Sequence, residues 1–171
     1  MTLIKVIKEK WLAILGFCIV GIAVYIIVNR VVTEQYAVQK CEDDPFLDEL
    51  KENLKQFLLQ DKNWTGYLKD MDGKKIYQQC SICKDRDTYT INKKHIFLCM
   101  KDDEDEYYEK HQLMYALLHE LGHVICDEIG HTKKYNDIFQ QLKQEAHNFG
   151  IYDINYKPSR DYCNINRTYK V

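Results

Sequence analysis

His119-Glu120-Leu121-Gly122-His123, with His131 eight residues further on, is the stretch from which the rest of this 171-residue chain is read. On a helix, two histidines four apart project from one face, one turn from each other, the spacing a tetrahedral zinc requires of two imidazoles. The glutamate between them lies beside such a metal without having to ligate it, where it can take a proton from water. The surrounding residues support a helix over about 109–126: Leu113, Met114, Leu117, Leu118, Leu121, Val124 and Ile125 recur at helical spacing. Gly122 is the exception, since glycine inside a helix costs about 1 kcal/mol against alanine. A small residue there implies close approach by another element.

A catalytic zinc takes three protein ligands and keeps one open position. In the His-Glu-x-x-His-x-x-Gly-x-x-His pattern, the glycine and the third histidine fall where this chain has Cys126 and Ile129, so that arrangement is absent. His131 is the preferred third ligand, with Gly130 before it giving the chain freedom to turn. Glu145, on the following helix, is the rival. His95, His111 and His147 read as surface or supporting residues.

Beyond His131, Tyr135, Ile138, Phe139, Leu142, Ala146 and Phe149 form one face of a helix over about residues 132–149. Thr132 is placed to cap its start and Gly150 to end it. A Tyr-rich, irregular tail follows. On the other side, Asp44-Pro45 suits a helix start, and Phe46, Leu47, Leu50, Leu54, Phe57 and Leu58 continue it to about residue 60. Residues 74–100 read as strands: a short one at 75–79, then a hairpin pairing 88–91 with 95–100 around Asn92-Lys93-Lys94. The edge at 95–100 offers a place for an extended substrate to add as a strand. The acidic run Asp102-Asp103-Glu104-Asp105-Glu106 reads as a solvated loop.

Residues 11–28 carry no charge and reach about 27 Å as a helix, close to the thickness of a bilayer's hydrocarbon core. The run is apolar on every face, with Trp11 and Tyr25 near its ends, where amphipathic rings favour the interface. It is read as a signal anchor, residues 11–30, between a short cytoplasmic N-terminus (1–10) and a juxtamembrane linker (31–44). Three lysines precede the span and Arg30 follows it, which favours a type II orientation with residues 45–171 lumenal or exterior. Residues 31–171 contain 20 basic and 25 acidic side chains, a net charge of −5, which argues against nucleic acid as a partner.

Cys18 lies in the span. Cys41, Cys80, Cys83, Cys99, Cys126 and Cys163 lie beyond it, an even number that suggests disulfides on an oxidising side, with 15 possible pairings. A bond at Cys126 would tie down the end of the active helix. Cys80-Ser81-Ile82-Cys83 has half the spacing of a structural zinc site and lacks a second pair. Asn63-Trp64-Thr65 and Asn166-Arg167-Thr168 are glycosylation sequons, a weak signal for the same side.

With the motif, Gly130-His131-Thr132-Lys133-Lys134-Tyr135, Leu142, Ala146, Gly150-Ile151-Tyr152 and the segment 89–99 in view, the chain resembles the small WLM/SprT-like metallopeptidase domains, compact members of which are encoded by large DNA viruses. The resemblance covers about residues 45–163. It implies an α+β, zincin-like domain (45–171) with a small, mostly antiparallel sheet and an active-site helix, here preceded by one transmembrane helix. It also implies zinc on His119, His123 and His131, with Glu120 as general base. Tyr135 stands where the family usually has Phe or Trp. The span and the acidic charge differ from the nuclear members that cleave proteins crosslinked to DNA. The expected activity is that of a membrane-anchored zinc metalloendopeptidase acting on proteins or peptides, in a virion or host membrane. Two alternatives are a non-enzymatic membrane or envelope protein retaining a structural zinc, and a zinc hydrolase of a non-peptide bond.

Overall fold

A computed structural model describes residues 3–39, 41, 43–159 and 161–164. The chain divides into two units, residues 1–39 and 40–171. The first is helix α1, Leu3–Gln39. It overruns the expected span at both ends and takes in most of the expected linker. Within it, Ile14–Val32 has a mean hydropathy of 2.2 and is long and apolar enough to cross a membrane by length and composition.

The second unit is α+β. Helix α2 (Pro45–Leu58) begins as its sequence dictates: the Asp44 carboxylate accepts from the backbone N–H groups of Phe46 and Leu47, both at 3.1 Å, and Pro45 takes the first turn. Leu47, Leu50, Leu54, Phe57 and Leu58 are buried. A 3-10 turn at Gly66–Leu68 follows. Next comes helix α3 (Gly73–Gln79), where a strand was expected at 75–79. Asp72 decides this locally by accepting from the Lys75 N–H at 2.8 Å, as an N-cap does. Only Gly73 of this helix is fully buried, against the end of α2, where a Cβ would collide with the Leu58 carbonyl.

The sheet has three strands, β1 (Ser81–Asp85), β2 (Tyr89–Ile91) and β3 (His95–Cys99), in the order β1-β3-β2. The expected hairpin is present: β2 and β3 pair antiparallel, from Tyr89 opposite Phe97 to Ile91 opposite His95. The sheet is nevertheless mixed, not mostly antiparallel, because β1 runs parallel to β3 over the longer register, Ser81 opposite His95 through Asp85 opposite Cys99. Strand β3 is therefore central. It has no open edge, contrary to the expectation for 95–100; β1 and β2 are the edge strands.

Helix α4 (Lys110–Ile125) packs on β3 and β2, and helix α5 (Lys133–Phe149) packs on α4. Val124 and Ile125 are half-buried rather than core, and Phe149 is exposed with its ring edge against Phe57. The acidic run 102–106 is an exposed turn. Disulfides join Cys41 to Cys83 and Cys99 to Cys163. Cys80 is half-buried and free, so it completes neither a zinc pair nor a disulfide, and Cys126 is buried and free, so the expected bond at the end of the active helix is absent. The last turn, Tyr162–Asn164, returns to the sheet: the buried Tyr162 donates to the Cys99 carbonyl at 2.7 Å. Asn63 and Thr65 of the first sequon are exposed, and the second lies outside the described residues.

Candidate metal centre

Three histidines from two segments converge on one point. Helix α4 presents His119 and His123 from adjacent turns, and the segment after it delivers His131 just before the Thr132 cap of α5. One ring nitrogen from each lies within 4.8 Å of the others. The Nε2 atoms of His119 and His131 are 3.0 Å apart. Tetrahedral zinc with ligands at about 2.0–2.1 Å holds its imidazole nitrogens about 3.4 Å apart, so the cluster fits that ion with small adjustments. The protonation state also fits. Burial, reinforced by the other two imidazoles, pushes His119 down to about 3; burial, with His131 and Lys93, pushes His123 down to about 4; burial lowers His131. All three are thus neutral near pH 7, as ligation requires.

Glu145, the rival ligand, is committed elsewhere, in an ion pair with Lys62. His95, His111 and His147 are outside the cluster. The Nδ1 of His95 lies 2.7 Å from the Ser81 hydroxyl across the parallel ladder; the His111 ring lies against Tyr152 and Tyr156; the Nδ1 of His147 lies 3.2 Å from the Tyr152 carbonyl.

Glu120 projects from α4 toward β2 and is 5% exposed. Thr90 of β2, which as a strand threonine carries no mark of a site residue, donates its hydroxyl to Glu120 Oε2 at 2.6 Å. Burial pushes the carboxyl up to about 7, against the opposing pull of that hydrogen bond. A base with a pKa near the working pH is well matched to proton transfer.

Tyr135 supports the ligands from below. Its hydroxyl donates to the His119 carbonyl at 3.0 Å, and its ring stacks on His123 at 4.3 Å and 20°. Gly122 makes room for it, since a Cβ there would stand 3.0 Å from Tyr135 Cε2. This is the close approach that the glycine implied. Tyr152 is buried farther back, its ring 6.4 Å from Tyr115. Lys93, in the turn Asn92-Lys93-Lys94, is a further contributor that its sequence context does not mark. It sits in the hairpin turn with φ 55°, a left-handed conformation uncommon for a side-chain-bearing residue, and it donates to the Cys126 and Glu128 carbonyls at the end of α4. It thereby satisfies groups that a helix end leaves unpaired.

The centre opens on a cleft of about 420 Å³ between β2 and the loop before His131, lined by Tyr89, Thr90, Lys93, Glu120, His123 and Ile129 among others. Ile129 stands 90% exposed at its rim. Gly130 turns the chain there with φ 81°, so the glycine assigned to the turn does perform it.

No protein-family model and no solved structure matches this chain. It is 32% identical over 146 residues to "Uncharacterized protein 136R" of Invertebrate iridescent virus 6, an alignment spanning 79% of this chain and 82% of that protein. It is 39% identical over 101 residues to "Uncharacterized protein 042R" of Invertebrate iridescent virus 3, spanning 58% of this chain and 64% of the relative. It is 31% identical over 121 residues to "Uncharacterized protein R325" of Acanthamoeba polyphaga mimivirus, spanning 68% and 56%. The chain belongs to the family of the iridescent virus protein 136R.

Proposed function

We propose that this member of the 136R protein family is a membrane-anchored, zinc-dependent metalloendopeptidase of the zincin type, similar to the small WLM/SprT-like domains. The observation that carries the reading is the pairing of a three-histidine cluster with a buried glutamate at the floor of an open cleft. A structural zinc site is closed by a fourth ligand and has no use for a base.

His119, His123 and His131 would hold the ion, which when bound supplies Lewis acidity that acidifies water and polarises a carbonyl. Glu120 takes the water's proton and passes it to the leaving amine. Thr90 fixes Oε2 of that carboxylate, leaving Oε1 for the proton. Tyr135 keeps His119 and His123 in register through the His119 carbonyl and the stacked ring. The edge strand β2, beside Glu120, is where an extended peptide would add its backbone hydrogen bonds.

The apolar helix and the two disulfides support a domain tethered on the oxidising side of a membrane, in a virion or host cell. Its substrates are then proteins near that membrane, not proteins on DNA. The test is the full chain in detergent, assayed on a peptide library beside Glu120→Gln. Both proteins should bind one zinc, and the variant should cleave about 10²–10⁴-fold more slowly. Equal turnover in the two, or no zinc in either, would sink the reading.

A further inference from the structure

The face of α4 that carries His119 and His123 continues one turn back to Tyr115, and α5 sets Phe139 and Lys143 one turn apart beside it. The Phe139 ring meets His119 edge-on at 5.2 Å and Tyr115 at 5.3 Å. The Lys143 ammonium lies 4.8 Å from the centre of the Phe139 ring and 5.8 Å from that of Tyr115. The buried Phe139 ring and the half-buried Tyr115 ring thus lie between a candidate metal ligand and a half-buried cation. Two steps of about 5 Å correspond to roughly three residues of extended peptide.

The neighbouring lysines are paired: Lys133 with Asp137, Lys134 with Asp127, and Lys62 with Glu145. Among the described residues no carboxylate pairs with Lys143, although Glu145 is only two positions along the chain. Burial lowers its pKa, and no acid opposes this. Aromatic faces partly compensate a desolvated ammonium, but an anion does so far better.

We propose that Lys143 is a specificity residue that takes a carboxylate of the bound peptide, either its α-carboxylate or an Asp or Glu side chain. This rests on the peptidase reading, and the carboxylate is the chemistry shared by both sources. The Phe139 and Tyr115 rings exclude water from one side of the ammonium and strengthen the ion pair once the peptide is seated.

The experiment uses the full chain in detergent carrying Glu120→Gln, loaded with zinc. Binding of fluorescent octapeptide pools is measured by anisotropy, each pool made with a free or an amidated C-terminus and with Glu or Gln at fixed positions. In parallel, the wild type is assayed for cleavage of the same pools. One carboxylate should tighten binding roughly tenfold or more. Lys143→Met should erase that difference, and Lys143→Arg should restore most of it. Dependence on the free terminus identifies the α-carboxylate, and dependence on Glu at a fixed position identifies a side chain. Equal binding of all pools by the Glu120→Gln protein overturns the proposal, whether or not Lys143→Met folds. So does a carboxylate preference that survives in Lys143→Met. Cleavage without any carboxylate preference removes the role of Lys143 and leaves the peptidase standing. Binding with the preference but without wild-type cleavage does the reverse, and pools neither bound nor cut remove both.

Discussion

The candidate metal centre and the sheet of this domain are built from contacts of opposite range. The outer ligands, His119 and His131, are 12 positions apart, and their nearest supports, Gly122, Tyr135 and Phe139, come from the same helix pair. The sheet is closed by a parallel strand and by disulfides that join residues 42 and 64 positions apart. The candidate site is thus assembled from contacts close in sequence, and the sheet from contacts far apart in it. Thr90 and Lys93 are two points where the sheet enters the candidate centre, the first holding Glu120 and the second capping the helix that carries His119 and His123.

The sharpest way to break this contrast is to remove a ligand. His131→Ala leaves two imidazoles and should lose essentially all tightly bound zinc, whereas Glu145→Ala should keep it, because Glu145 is spent on Lys62. Metal content after dialysis reads the difference. Zinc lost from Glu145→Ala and retained by His131→Ala would reverse the ligand assignment. The opposite pattern belongs to the disulfides. Cys99→Ser with Cys163→Ser should lower unfolding stability by about 2–5 kcal/mol in urea titrations while the folded fraction still binds zinc. An unchanged midpoint would show that the local helix pair stabilises the domain alone.

Gly122 and Tyr135 test the local half from within. Tyr135→Phe removes the hydrogen bond to the His119 carbonyl and should cost about 0.5–1.5 kcal/mol. Gly122→Ala should destabilise beside Tyr135, whose ring would have to move. In a Tyr135→Leu background the same change should stabilise by about 1 kcal/mol through helix propensity. A double-mutant cycle with no coupling between the two positions would show that the ring yields freely.

The same division governs what the sequence made legible. The helices α2, α4 and α5 and the caps at Asp44 and Thr132 follow from spacing, because each depends on residues within one or two turns. Strand β1 was missed because only Cys83 in it is fully buried, and a parallel partner leaves no turn signal nearby. Helix α3 was taken for a strand because its one fully buried residue is the glycine at its start, which no apolar periodicity records. Thr90 lies 30 positions from Glu120, and a threonine in a strand is ordinary, so nothing in the chain marked it as the residue that holds the base. The disulfide pairing was equally beyond reach: 15 pairings were open, and the tail had to fold back before Cys163 met Cys99.

An effect of similar small size, but dependent on pH, sits where the long-range scaffold begins. Asp44 caps α2 with Oδ1, while Oδ2 accepts from the Tyr107 hydroxyl at 3.0 Å and lies 3.7 Å from the Lys84 ammonium. Burial works against its charge, but the N–H groups of Leu47 and Phe46, the Tyr107 hydroxyl and Lys84 outweigh it and hold the carboxyl below the usual carboxylate range. A carboxyl whose folded pKa is depressed contributes stability that is complete above its unfolded value, about 3.9, and is lost as pH falls through the folded one. Asp44→Asn keeps the capping oxygen and removes the charge, so it isolates that contribution. The wild type should exceed the variant by something of order 1 kcal/mol at pH 6 and lose that advantage on acidification below about pH 4. Urea midpoints measured across that range decide it. A gap that stayed constant with pH would mean that Asp44 acts through its shape alone, and that its links to Tyr107 and Lys84 carry no charge-dependent part of the scaffold.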